Sequence, residues 1–378
     1  MSDPTFPRSP GIDLLRGLSI LLVVVHHLGL RLPLHKTDAA DILPIPLLKG
    51  LIYNGYEAVF VFFVISGFLI TRHTLERDGA LRAIDWRGFY ARRAARILPC
   101  LLALLTLLLT CHAFAVPNYV IDSTRQSPMG ATVSALTFTI NVYEGRTGWL
   151  PGGWDVLWSL SVEEVFYLAF PLLCLTLGRT RWFVPLLALL VLSLPFTRAA
   201  IVDNEIWQEK AYLPGMSAIA AGVLAAMARA RWGEGSLAKR VLLAVIGTVA
   251  LAAVMFSGGW LWRMLHDGYM LVLVGAAVCL VLASAEQGST WRGFGWLQRM
   301  GKASYEIYLT HMFVVFTLVG IARATDTDGT QAWVWYPPAV LLSWIVGTWV
   351  ARGFSEPTNR RLRAWFLARR ESLATATP

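Results

Sequence analysis

The sequence predicts an all-α protein, a polytopic bundle of about ten transmembrane helices with both termini on the cytoplasmic side. Three observations predict it. The apolar runs reach the roughly 17–25 residues that carry a helix across a bilayer. Only 15% of the 378 residues are charged, 56% are hydrophobic, and mean hydropathy is +0.55; a soluble chain of this length carries more charge and shorter apolar runs. Finally, Lys and Arg are distributed unevenly between the runs, as the positive-inside rule requires.

In chain order, spans are expected at residues 12–30, 50–72, 97–116, 155–177, 182–200, 212–229, 241–257, 268–285, 303–322 and 333–354. The first begins with RGLSILLVVVHH, from Arg16 to His27. Residues 18–25 resemble the core of a signal peptide, but His26, His27 and Arg31 follow where a small-residue cleavage site would stand, so this helix is expected to remain. The second span ends in FFVISGFLIT, whose Ser66-Gly67 pair permits close helix approach. The third is entered through RRAARILP, the fourth opens with WSLSVEEVFYL, and the ninth opens with GKASYEIYLTH. The stretch 130–142 is too short and polar to span and is expected as a re-entrant or interfacial helix in a long loop. The spacing leaves no sizeable soluble domain, so residues 1–378 are expected as one membrane domain with a basic tail at 355–378.

The charge distribution tests this arrangement. With the N-terminus inside, 24 of the 33 Lys and Arg fall in cytoplasmic segments, seven of them between Arg72 and Arg96. Inverting the chain would reverse the bias. The net charge of +9 and pI near 9.6 are therefore attributed to cytoplasmic loops and not to nucleic-acid binding. The tail sequence RRLRAWFLARR, basic with aromatics, is expected on the cytoplasmic membrane surface. All four cysteines lie in apolar stretches without zinc spacing, and no metal site is expected.

Ionisable side chains inside a span are expensive and usually mark a site. Arg16 and His27 are eleven residues apart. That is about three helical turns plus 20°, so they share a face with about 16 Å between them along the axis. His26 points about 100° away. A phosphate at Arg16 and a reactive atom at His27 fit an extended, two-ended substrate with the reach of the phosphopantetheine arm of coenzyme A. Arg92, Arg93 and Arg96 cluster at helical spacing at the mouth of the third span, and guanidinium pairs well with phosphate. Glu163 and Glu164 lie about two turns into the fourth span, at a depth comparable to His27. A carboxylate there would fix the imidazole tautomer and stabilise its protonated form. Tyr305, Tyr308 and His311 begin the ninth span. Each feature alone also has a packing explanation: Arg16 as an interfacial anchor, the histidines and one of the two acids as satisfied structural groups.

These segments, in this order and together with FSEPTNRR near the end, resemble the acyltransferase-3 family of integral membrane acyltransferases over nearly the whole chain. The resemblance implies a multi-pass protein of the bacterial cytoplasmic membrane. It would move an acyl group, commonly acetyl, from cytoplasmic acyl-CoA to a hydroxyl of an envelope or exported carbohydrate or glycoconjugate; some members modify antibiotic-like small molecules. On this resemblance His27 and Glu163 are the catalytic residues, and Arg16, Arg92, Arg93 and Arg96 bind the donor. Asn141, Trp158, Glu164, Tyr305 and His311 are placed at the acceptor. Glu356-Pro357 lacks a residue of the family's terminal Glu-x-Pro element and is left out of the site. A transporter or flippase for an anionic lipid or sugar would also use intramembrane Arg, His and Glu; it differs in consuming no acyl-CoA.

Overall fold

The computed structural model describes residues 9–233, 235–285 and 293–375, with side chains up to residue 366. Arg8 and Arg292, counted among the cytoplasmic charges above, lie outside the described residues, as do the side chains of Arg369 and Arg370. Among the described residues the regular structure is all helical.

Helix α1 (Pro10–Gly29) carries Arg16 near one end and His27 near the other. A short α2 (Ile45–Ile52) leads into α3 (Gly55–Asp78) and then α4 (Trp86–Ala113), which starts on an Asp85 side-chain cap. The long loop that follows folds into α5 (Pro128–Leu136) and α6 (Ile140–Thr147). This corrects the single helix expected over 130–142. The chain turns at Phe138, whose φ of 56° no helix accommodates. Next come α7 (Leu157–Leu177), α8 (Phe183–Leu192), α9 (Leu194–Ala199), α10 (Glu205–Lys210) and α11 (Tyr212–Trp232). The remainder is α12 (Leu237–Leu265), α13 (Tyr269–Ser284), α14 (Gly295–Lys302), α15 (Ser304–Ala324), α16 (Tyr336–Val350) and α17 (Glu356–Thr375).

Eight helical stretches among the described residues are long and apolar enough to cross a membrane, not the ten expected. The difference has two sources. The run at 182–200 breaks at Ser193 into α8 and α9, and the ten residues of α8 span only about 15 Å. The runs at 241–257 and 268–285 fall within one continuous apolar stretch, Leu237–Ser284. That stretch folds back at His266–Gly268, so that Gly247 of α12 lies against Ala276 and Leu280 of α13, and the two expected runs stand as two packed helices within it.

Two tight contacts build the frame around the site. On α3, a methyl group at Gly67 would overlap the Ile219 carbonyl of α11; on α11, one at Gly222 would overlap the Val64 carbonyl of α3. The two helices therefore meet backbone to backbone, the small-residue packing expected of Ser66-Gly67. Helix α1 is held against α14 in the same way, through Gly17 and Gly301. A second departure concerns the tail. Helix α17 packs against α4 and brings Asn359 and Arg363 to the cavity described below, so its first half is part of the bundle.

Candidate active site

A cavity of about 280 Å³ opens among α1, α3, α4, α7 and α15. Arg16, Arg92, Arg93 and Arg96 all line it, joined by Arg72 and Arg77. The helical spacing of the α4 arginines turns them toward one side, and aromatic faces hold two of them. The Arg93 guanidinium lies 4.0 Å from the Tyr167 ring centre, and Arg96 lies 5.5 Å from that of Tyr305. Such cation–π contacts position guanidinium groups while leaving their N–H edges available to an anion. Arg16 donates from Nε to the Ser304 hydroxyl at 3.1 Å.

Glu163 and Glu164 line the same cavity, as does Tyr305. The Tyr167 hydroxyl donates to Glu163 Oε2 at 3.4 Å and is also hydrogen-bonded to Ser66. Glu164 Oε1 and the Tyr305 hydroxyl are both buried without a partner. The cavity thus pairs a cationic lining with polar groups ready for a ligand. Ser159 and Tyr308, whose hydroxyls are 2.7 Å apart, also line it.

His27 does not line this cavity; it connects to Tyr308 through His311. The Tyr308 ring is 5.7 Å from that of His311, which is 5.1 Å from that of His27. His311 is fully buried and its Nδ1 lies 2.8 Å from the Tyr308 carbonyl. A carbonyl only accepts, so Nδ1 carries the proton and Nε2, buried without a partner, carries a lone pair. His26 meets the His27 ring edge-on at 5.2 Å, but its hydrogen bond goes elsewhere. Its Nδ1 donates to the Ile52 carbonyl at 2.8 Å, and its ring packs against Gly55.

The acid facing His27 is Asp155, not Glu163. His27 Nε2 lies 4.0 Å from Asp155 Oδ2, and His27 Nδ1 is buried with no partner. Asp155 stands eight residues before Glu163, about 12 Å of helical rise. The expected Glu163–His27 pair is therefore corrected. Glu163 was placed by its depth in the span, whereas the chain enters α7 through a short turn, Gly152–Trp154, that presents Asp155 at the histidine's level. Behind Asp155, the Lys210 ammonium bonds Asp155 Oδ1 at 2.7 Å and Glu144 Oε1 and Oε2 at 2.9 and 3.0 Å. Lys210 is 1% exposed. Burial pushes the Glu144 carboxyl above its ordinary range, and the Lys210 charge opposes that shift.

Asn141 braces this group. Its Nδ2 donates to the carbonyls of Trp158 and Lys210 at 3.1 and 2.5 Å, tying α6 to α7 and α10. Trp158 stacks on Tyr56 at 6.1 Å and meets Phe63 edge-on at the same separation. Neither Asn141 nor Trp158 lines the cavity. The sequence reading missed Asp155, Lys210 and Glu144. The signal was present: Asp155 and Lys210 are ionisable residues at the ends of apolar runs, in GGWDVLW and QEKAYLPG.

A cation-lined cavity beside a half-buried Tyr–His–His–Asp array inside a helical bundle has the groups an integral membrane enzyme of the group-transfer type would use. The chain belongs to the acyltransferase-3 family: the family's acyltransferase domain matches residues 9–352. It is similar to O-acetyltransferase OatA of Staphylococcus aureus strain COL, 23% identical over 332 residues that make up 81% of this chain and 50% of that protein. It is also similar to a putative O-acetyltransferase of the same strain, 27% identical over 180 residues, 45% of this chain and 25% of the relative. The chain spans about half the length of OatA and less of the other protein. No solved structure matches the chain.

Proposed function

We propose that this protein is an O-acyltransferase that moves an acyl group, acetyl by analogy with its relatives, from acyl-CoA to a hydroxyl. The acceptor is a carbohydrate or glycoconjugate of the cell envelope. The observation that carries this reading is the join between the two halves of the site: Tyr308 lines the cation-lined cavity, and the ring series Tyr308, His311, His27 continues from it to Asp155. Both termini are assigned to the cytoplasm on the positive-inside bias, which puts the arginine end of the cavity where acyl-CoA is available.

The cavity fits the donor by chemistry. Arg16, Arg92, Arg93 and Arg96 receive the CoA phosphates. The pantetheine arm follows the cavity past Glu163 and Glu164, whose carboxyls face its amide groups. The Tyr308 hydroxyl meets the thioester carbonyl. His27 accepts the acceptor's hydroxyl proton, the alkoxide oxygen bonds to the acyl carbon, and the C–S bond breaks with the electron pair on sulfur. The proton held by His27 then passes to the thiolate. Asp155 stabilises the imidazolium, and Lys210 fixes Asp155. General-base assistance of this kind contributes about 10²–10⁴-fold.

The test is transfer of labelled acetyl from acetyl-CoA in membranes, with intact-mass analysis of envelope glycans from cells with and without the gene. An acetyl-sized mass difference that requires the gene supports the enzyme. Substrate movement without consumption of acetyl-CoA would identify a transporter instead.

A further inference from the structure

A second cavity, of about 730 Å³, lies beside α16 and adjoins the first: Lys302 lines both, whereas Arg299, Arg352 and the α16 residues line the second and not the first. Its wall is an apolar stripe: Leu341, Ile345 and Trp349 recur every four residues and are 52%, 53% and 75% exposed. On a membrane-spanning helix such a stripe faces lipid. The stripe runs about 12 Å along the axis. At its end stand Arg299, Lys302 and Arg352, three exposed cations against the single carboxylate of Glu356. Arg352 is set there by a π-helical turn, Ala351–Ser355, which the Ser355 hydroxyl fastens to Glu306 at 2.7 Å. Insertions of this kind in long helices are frequent at functional sites. Between the cations and the stripe, Thr348 Oγ1 is buried with no hydrogen-bond partner.

We propose that this groove binds an anionic phospholipid. The phosphate sits among Arg299, Lys302 and Arg352, the Thr348 hydroxyl bonds an ester or phosphate oxygen, and one acyl chain lies along Leu341, Ile345 and Trp349. A soluble anion would be served by the cations but would leave the exposed stripe unused. A choline headgroup would set its own cation against the three on the protein. Basic pockets of this form, at the polar ends of membrane helices, recognise acidic headgroups.

The full chain, purified in detergent, is titrated with phosphatidylglycerol and with phosphatidylcholine of the same acyl chains, and bound lipid is read by native mass spectrometry. The expected result is retention of phosphatidylglycerol at about tenfold lower concentration than phosphatidylcholine, with that preference lost in Arg299→Gln/Arg352→Gln. Both arginines are exposed, and thermal unfolding checks that the variant is folded. Arg299→Lys/Arg352→Lys, which keeps the charge, retains the preference and serves if the glutamine variant does not fold. Glycerol 1-phosphate, the headgroup without chains, leaves bound lipid in place. Equal retention of the two lipids by the wild type, an unchanged preference in the folded glutamine variant, or displacement by glycerol 1-phosphate would each overturn the proposal.

Discussion

His26 and His27 are neighbours in the chain, their rings 5.2 Å apart, and they differ in their partners. The imidazole of His26 is spent on the Ile52 carbonyl, while that of His27 faces Asp155 and keeps one nitrogen free. His26→Ala is therefore expected to lower stability by about 0.5–1.5 kcal/mol, the worth of one hydrogen bond, and to leave turnover nearly intact. Thermal unfolding and acyl transfer read in parallel check this. Asp155→Asn keeps the shape and removes the charge opposite His27, so kcat is expected to fall by about 10²–10⁴-fold while the KM for acetyl-CoA holds. A rise in KM without loss of kcat would move Asp155 out of the histidine's service. Lys210→Met leaves the buried Glu144 beside the half-buried Asp155 without their cation and should destabilise by about 3–5 kcal/mol, read by thermal unfolding in detergent. Helical spacing from Arg16 singles out His27 over His26 in the sequence, and it is His27 that stands opposite Asp155 in the structure. The sequence alone did not identify Asp155. Depth is counted separately along each span, but the two helices do not start at the same level: the residue just before α7, and not one two turns inside it, stands opposite His27.

At the scale of elements, the three α4 arginines were legible because their spacing exceeds what an interfacial anchor needs, and the structure places all three at one cavity. Arg93→Ala is expected to weaken acyl-CoA binding by about 1.5–3 kcal/mol, the worth of a hydrogen bond to a charged group, with Lys restoring part of it. Unchanged affinity in a folded variant would remove α4 from the donor site. Close packing of α3 on α11 was legible in Ser66-Gly67, and the reciprocal Gly222 contact was not, since a glycine reveals its partner only once the helices are paired. Gly67→Val would push a branched side chain into the Ile219 carbonyl and should cost about 1–3 kcal/mol of stability in thermal unfolding. The break of 182–200 into two helices is harder to read in advance. Hydropathy responds to apolar length, and the run stays apolar through Ser193 and Pro195.

For the whole molecule, the all-helical class followed from apolar run length, but the number of crossings did not. Hydropathy separates the runs 241–257 and 268–285 on either side of the turn at His266–Gly268, but it is silent on a helix break inside an apolar run, as at Ser193. The orientation is carried by charge. Cysteine labelling is expected to find residues 79–85 on the cytoplasmic face and residues 117–127 on the opposite one; labelling of both from one side would contradict the assignment. The central claim joins the ends of the molecule: a donor bound at the arginines reacts at His27. Its most direct measurement is acetyl transfer from labelled acetyl-CoA by His27→Ala in proteoliposomes, with CoA affinity measured on the same preparation. Transfer is expected to fall by at least about 10²-fold, the lower range of general-base assistance, while CoA affinity stays near that of the wild type, because His27 lies about three helical turns from Arg16. Transfer within a few-fold of the wild type would contradict the account.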